Sequence, residues 1–335
     1  MSDWPRVRLH VVTGKGGTGK STVAASLALA LASHGKDVLL CEVEGRQGIA
    51  RMFDVDPLPY AERRIATGLR SDGSAGPTPG VVHALHIDAE AALMEYLAMY
   101  YRLGRAGRAL DRFGVIEFAT TIAPGVRDVL LTGKVYEAVQ RNSRNKGARE
   151  YDAVVLDAPP TGRISQFLNV SDELAGLAKV GPVKHQADTM MTLFRSPRTA
   201  IHFVTVLEEM PVQETADGID HVRAAGLPVG GVVVNRLRPR DLRVKDLAAA
   251  RKGELDRAAI GADLAAAGVD GSNGLVDGLL DEAHDHAVRR ALEDGQRKLV
   301  KNLGVPTYEL PQLAQGVDLG GLYELAACLR DGGMA

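Results

Sequence analysis

The sequence predicts an α/β protein built on one doubly wound, mainly parallel sheet. Three observations predict it: seven short β-branched runs, the helical stretches that separate them, and a glycine-rich turn joining the first run to the first helix. The runs are Leu9–Thr13, Asp37–Val43, Val81–Ile87, Asp152–Asp157, Ile201–Leu207, Val229–Asn235 and Thr307–Leu310. Most are apolar throughout rather than alternating, the pattern of strands covered on both faces. Helices between successive runs imply crossover connections and hence parallel pairing. Ligands of such sheets bind beyond the carboxyl ends of the strands, and each motif below follows a strand.

Between strands the elements are justified in turn. Thr22–Ala32 is an almost uninterrupted Ala/Leu/Val helix, too short to span a bilayer. Residues 67–80 read T-G-L-R-S-D-G-S-A-G-P-T-P-G, the composition of a mobile surface loop. Residues from about 88 to 147 form a long helical insertion, with Leu93, Tyr96, Leu97, Tyr100 and Tyr101 at amphipathic spacing. A second helical insertion covers 163–199. A variable, Ala/Asp/Arg-rich one covers about 238–300, with turn signals at Gly268, Gly271 and Gly274. Leu319, Leu322, Leu325 and Leu329 mark one face of a C-terminal helix that docks on the domain. The expectation is a single domain over 1–335 carrying these insertions, with no internal repeat.

Composition narrows the function. The chain has 335 residues, 45% of them hydrophobic, and a net charge of −2. Near-neutral charge argues against nucleic acid as a partner. The basic run from Arg236 to Lys252, broken by Asp241 and Asp246, reads as a solvated helix face. Two cysteines, Cys41 and Cys328, lack the spacing of a structural zinc site and suit a reducing cytosol. No secretory signal is expected at Met1-Ser-Asp-Trp-Pro5, so the reading is cytoplasmic, with a peripheral membrane contact left open. Met94, Met99, Met190 and Met191 lie in the insertions and read first as core.

The chemistry starts at Gly14, Lys15, Gly16, Gly17, Thr18, Gly19, Lys20 and Ser21, G-K-G-G-T-G-K-S, with Thr22 following. Glycines let backbone N–H groups face phosphate oxygens, and the dipole of the next helix favours the same charge. Lys20 is the expected β/γ-phosphate contact and Ser21 the expected Mg²⁺ ligand. The second motif is Ala153-Val-Val-Leu-Asp157 followed by Ala158-Pro-Pro-Thr-Gly-Arg163. Asp157 can hold Mg²⁺ directly or through water, and Pro160-Thr161-Gly162 has the form of a switch sensing the γ-phosphate.

The two motifs together resemble the ArsA family of ATPases, the arsenite-efflux and tail-anchored-protein-targeting ATPases of the deviant phosphate-loop class. The likeness is nearest to a bacterial branch of paired paralogues. Asp157, Pro160, Thr161 and Gly162 match that family's D-T-A-P-T-G-H-T, whereas Ala158, Pro159, Arg163 and Ile164 depart. Ile122-Ala-Pro-Gly-Val126, Val232-Val-Val-Asn235 and Leu310-Pro311 match as well.

The resemblance implies ATP hydrolysis by a homodimer, or a heterodimer with a paralogous ATPase, in which Lys15 reaches the other subunit's nucleotide. It implies that Asn235 contacts adenine with Pro311 nearby; without it, Asn235 is equally a strand-end residue satisfying a turn. Where the family orients the attacking water with an aspartate, this chain has Glu44, which is either that group or a solvated loop acid. Glu42 is the lesser candidate. Downstream readings are coupling to a membrane-protein client, an energy-coupling subunit of an anion pump, or a nucleotide-dependent scaffold with little turnover.

Overall fold

A computed structural model describes residues 2–43, 47–69, 78–101, 124–141, 148–169, 182–239, 242–271 and 274–335. Its strands are β1 (Leu9–Gly14), β2 (Val38–Glu42), β3 (Arg63–Thr67), β4 (Val81–His86), β5 (Ala153–Asp157), β6 (Thr199–Thr205), β7 (Val229–Leu237) and β8 (Thr307–Pro311). They form one sheet in the order β3-β4-β2-β5-β1-β6-β7-β8. Every pairing is parallel except β3 with β4. The seven sequence-derived runs all appear as strands, most with ends moved by one or two residues.

The antiparallel edge strand β3 was not anticipated. Its sequence, R-R-I-A-T, is short and half charged, and its side chains are exposed or half-buried. An edge strand of this kind has no apolar run to betray it, and its charges discourage pairing with other chains.

The described helices are α1 (Lys20–Ser33), α2 (Gly48–Met52), α3 (Ala89–Tyr101), α4 (Pro124–Gln140), α5 (Thr161–Leu168), α6 (Pro182–Phe194), α7 (Glu209–Ala224), α8 (Val244–Lys252), α9 (Arg257–Ala266), α10 (Leu275–Lys301) and α11 (Leu319–Asp331). Alternation along each strand sends neighbours to opposite faces. Leu39, Cys41, Val154 and Leu156 join a core that includes α4 to α7. Val38, Leu40, Ala153 and Val155 join one built on α1 and α11. Helix α1 is apolar all round because Val23 to Ala32 are all buried.

Leu322, Leu325 and Leu329 dock as the periodicity requires, but Leu319 at the start of α11 is 38% exposed, so the buried face begins one turn later. Met190 and Met191 are core residues. Of the three turn-signal glycines, Gly268 and Gly274 take left-handed backbone and Gly271 does not. Glu44, most of the 67–80 loop, Ile122 and Ala123, and parts of both helical insertions lie outside the described residues, as do the side chains at 96–101. No helix among the described residues is long and apolar enough to cross a membrane.

Candidate active site

Strand β1 is buried at every position, which fixes where the following loop starts. A Cβ on Gly14 would lie 2.3 Å from the Val204 carbonyl oxygen, so β6 crowds the strand's tip and only glycine fits. The loop then closes on itself: Thr18 N–H and Oγ1 both donate to the Lys15 carbonyl, at 3.3 and 2.8 Å. Gly17 and Gly19 have φ of 88° and 92°, a region that side chains disfavour.

At Gly19 sterics add to torsion, since a Cβ there would meet Asn235 Nδ2 at 2.4 Å. That amide donates to the Thr18 carbonyl at 2.9 Å, while Asn235 Oδ1 accepts from Arg236 N–H at 2.9 Å. Asn235 is therefore a brace under the loop. Pro311, on β8, is in register with Leu237, two residues beyond Asn235.

Helix α1 starts at Lys20 without a side-chain cap and without an acidic residue in its first turn. Its positive end is thus left to whatever anion enters the loop. A Cβ on Gly16 or Gly162 would meet no protein atom within 4 Å. Their smallness answers to no packing within the chain.

Ser21 Oγ donates to Asp157 Oδ2 at 2.5 Å, across the gap between α1 and β5. The parallel register Val12↔Asp157 sets Asp157 beside β1, so loop and acid converge because neighbouring strands end together. Thr13 Oγ1 donates to the Pro159 carbonyl at 2.7 Å and pins the next segment to β1. Pro160 precedes α5, Thr161 begins it in a buried position, and Gly162 is exposed.

Lys15 is folded back onto Glu214 of α7 in an ion pair. Arg163 reaches Asp128 of α4 at 3.3 Å. Neither partner carried a sequence signal, since each is one of two or more acids on a helix remote in sequence.

A glycine-rich loop, an uncapped helix end, a lysine, a hydroxyl and a carboxylate are groups chemically able to hold a nucleoside triphosphate. Residues 7–197 match the profile of the ArsA family, described as anion-transporting ATPases. The chain belongs to the ArsA ATPase family. It is 52% identical over 335 residues to "ATPase BagA" of Mycobacterium tuberculosis, covering 99% of this chain and 96% of that protein. It is 22% identical to "Putative arsenical pump-driving ATPase 2" of Aquifex aeolicus, covering 74% of this chain and 86% of that one. It is 24% identical to "ATPase GET3" of Kluyveromyces lactis, covering 68% and 71%. This ArsA-family chain is an ATPase.

Proposed function

We propose that this ATPase is a Mg²⁺-dependent switch that works as a dimer and passes its nucleotide state to a client. The Ser21–Asp157 contact beside an uncapped helix end carries this reading. A hydroxyl and a carboxylate are the donor types Mg²⁺ takes beside a triphosphate, and the residues present fit it. When bound, the ion would neutralise charge on the β- and γ-phosphate oxygens.

The chain's own groups do the remainder. Backbone N–H groups of residues 14 to 22 and the Lys20 ammonium hold the phosphates, and Asn235 and Pro311 flank the base. Glu44 orients the attacking water, while Thr161 and Gly162 sense the γ-phosphate. Lys15 leaves Glu214 and crosses to the partner's nucleotide. That pair is about one-third exposed on each side, so releasing it costs at most about 1 kcal/mol. Arg163, held to Asp128, links the switch to α4 and supports transmission into the helical insertion.

The partner is a second copy or, given the departures at Glu44 and Arg163, a paralogous ATPase in the cytoplasm. A protein client, such as a membrane protein, fits better than a metalloid: Cys41 is buried and its thiol is pushed up to about 12 by that burial. Soft ions need accessible thiolates.

Phosphate release by the purified chain, alone and with the paralogous subunit, tests the reading. Lys15→Ala should keep ATP binding and lose turnover by about 10³-fold or more, in the assembled dimer only. Unchanged turnover there would discard the cross-subunit role. Negligible release by wild type in both settings would leave the scaffold reading.

A further inference from the structure

The strand ends beside the phosphate loop hold a carboxylate that the proposed chemistry has not used. Glu42 closes β2, and the parallel register sets it opposite Asp157 on β5 and opposite His86 on β4. Residues paired in register share a face of the sheet. On that face, two positions earlier, Leu40 and Val155 pack in the α1 core. Glu42, Asp157 and His86 thus form a row across three strand tips, above the start of α1, and Ser21 joins the row through Asp157.

Two observations make this row unlike ordinary strand-end polarity. Glu42 is 2% exposed and Asp157 6%, so two acids stand on adjacent strands, roughly 5 Å apart by backbone spacing, almost out of water. Like charges so placed are unfavourable unless a cation answers them. Furthermore, Glu42 uses only one oxygen. Oε1 accepts from Gly48 N–H at 2.7 Å. Oε2 is buried with no hydrogen-bond partner and faces His86 Nδ1 across 3.6 Å. A buried carboxylate oxygen left unbonded is uncommon and calls for a ligand.

We propose that Glu42 is the second carboxylate of the Mg²⁺ site, accepting hydrogen bonds from the ion's water ligands beside Asp157. The inference rests on the Mg²⁺–nucleotide reading of the loop. A water-mediated role suits the geometry. Among the described residues no three His, Cys, Asp or Glu side chains converge tightly enough to grip an ion directly. Mg²⁺ typically retains several of its waters. Ser21 and Asp157 would hold the ion, and Glu42 would accept from its waters on the β2 side, with His86 behind it. The same carboxylate clamps Gly48, so it ties the metal shell to the base of the loop that carries Glu44.

The test is Mn²⁺ affinity in the presence of ADP, read by water-proton relaxation on the full chain. Glu42→Gln keeps an oxygen for Gly48 N–H and removes the charge. A purely structural clamp predicts full rescue by glutamine. The metal role predicts that Mn²⁺ binds about 10- to 100-fold more weakly, with metal-free ADP affinity unchanged. Asp157→Asn serves as the reference loss. Weakening in both variants supports the inference. Wild-type Mn²⁺ affinity in Glu42→Gln, beside a loss in Asp157→Asn, overturns it and leaves the nucleotide reading standing. No ADP binding by wild type overturns that reading itself. Should glutamine impair folding, Glu42→Asp keeps the charge but draws it back by one methylene; a smaller loss is expected, and wild-type affinity there also overturns the proposal.

Discussion

Two glycines in one loop separate the needs of folding from the needs of binding. Gly19 is required by the chain itself: its φ is 92° and a Cβ would collide with Asn235. Gly19→Ala should therefore destabilise the protein without any ligand, by about 1–3 kcal/mol. Gly16 has neither constraint, because a Cβ there meets nothing within 4 Å. Gly16→Ala should melt like wild type yet bind ADP at least about tenfold more weakly, since the new methyl group stands where phosphate approaches. Thermal melts without nucleotide and calorimetric ADP titrations check both. Equal ADP affinity in Gly16→Ala would remove phosphate from the front of that residue. At this scale the sequence was informative about residue types, because G-K-G-G-T-G-K-S has few alternative uses. It was silent on partners: Asn235 braces the Thr18 carbonyl across 217 residues, and only the sheet's strand order brings those positions together.

Elements were legible in proportion to their burial. Strands covered on both faces announce themselves as apolar runs, and α1 does so by having no polar side at all. The edge strand β3 is half charged, so nothing in its pattern set it apart from a loop. Glu42 shows the same limit at the site. Its place beside Asp157 follows from β2–β5 register, and adjacency of strands is a property of topology that no local window contains. The same holds for helix-to-loop contacts such as Lys15 with Glu214 of α7. If Lys15 leaves that carboxylate when nucleotide is handled, the ion pair competes with the bound state. Glu214→Gln should then raise Mg²⁺–ADP affinity by a few fold, the equivalent of about 0.2–1 kcal/mol for a part-exposed pair. Calorimetry on the variant reads this directly. Unaltered affinity would mean that Lys15 stays on α7 throughout.

The molecule as a whole is closed over a pair of buried histidines in the middle of the sheet. His10 on β1 and His202 on β6 are fully buried, with Nδ1 of the first 3.1 Å from Nε2 of the second. Gly231 N–H donates to His202 Nδ1 at 3.1 Å, so His202 carries its proton on Nε2 and donates it to His10. The chain's two ends lie over this pair. Trp4 packs edge-on against His202 and donates to Tyr308, whose hydroxyl donates to Asp3, and Asp3 N–H donates to the Gly333 carbonyl. A second proton on His202 would point at the Gly231 N–H, and one on His10 would enter a site remote from water. Burial accordingly pushes His202 down to about 3 and lowers His10 well below its usual value, aided by the charge it would feel from His202 and Lys36.

Both rings regain an ordinary value near 6.5 when the chain unfolds, so between that value and their native ones the unfolded state binds more protons. Stability should be whole above about pH 6.5 and fall as pH drops below it, with each histidine contributing up to about 1.4 kcal/mol per pH unit. Carboxylates add their own slope at lower pH, so the decisive quantity is a difference between proteins. Urea unfolding at pH 7.5, 6.5 and 5.5 should show wild type losing stability faster than His10→Gln, in which one of the two titrating rings is gone. Parallel curves for the two proteins would show that the His10 ring is not held neutral, and that the sheet's centre tolerates charge where its packing says it cannot.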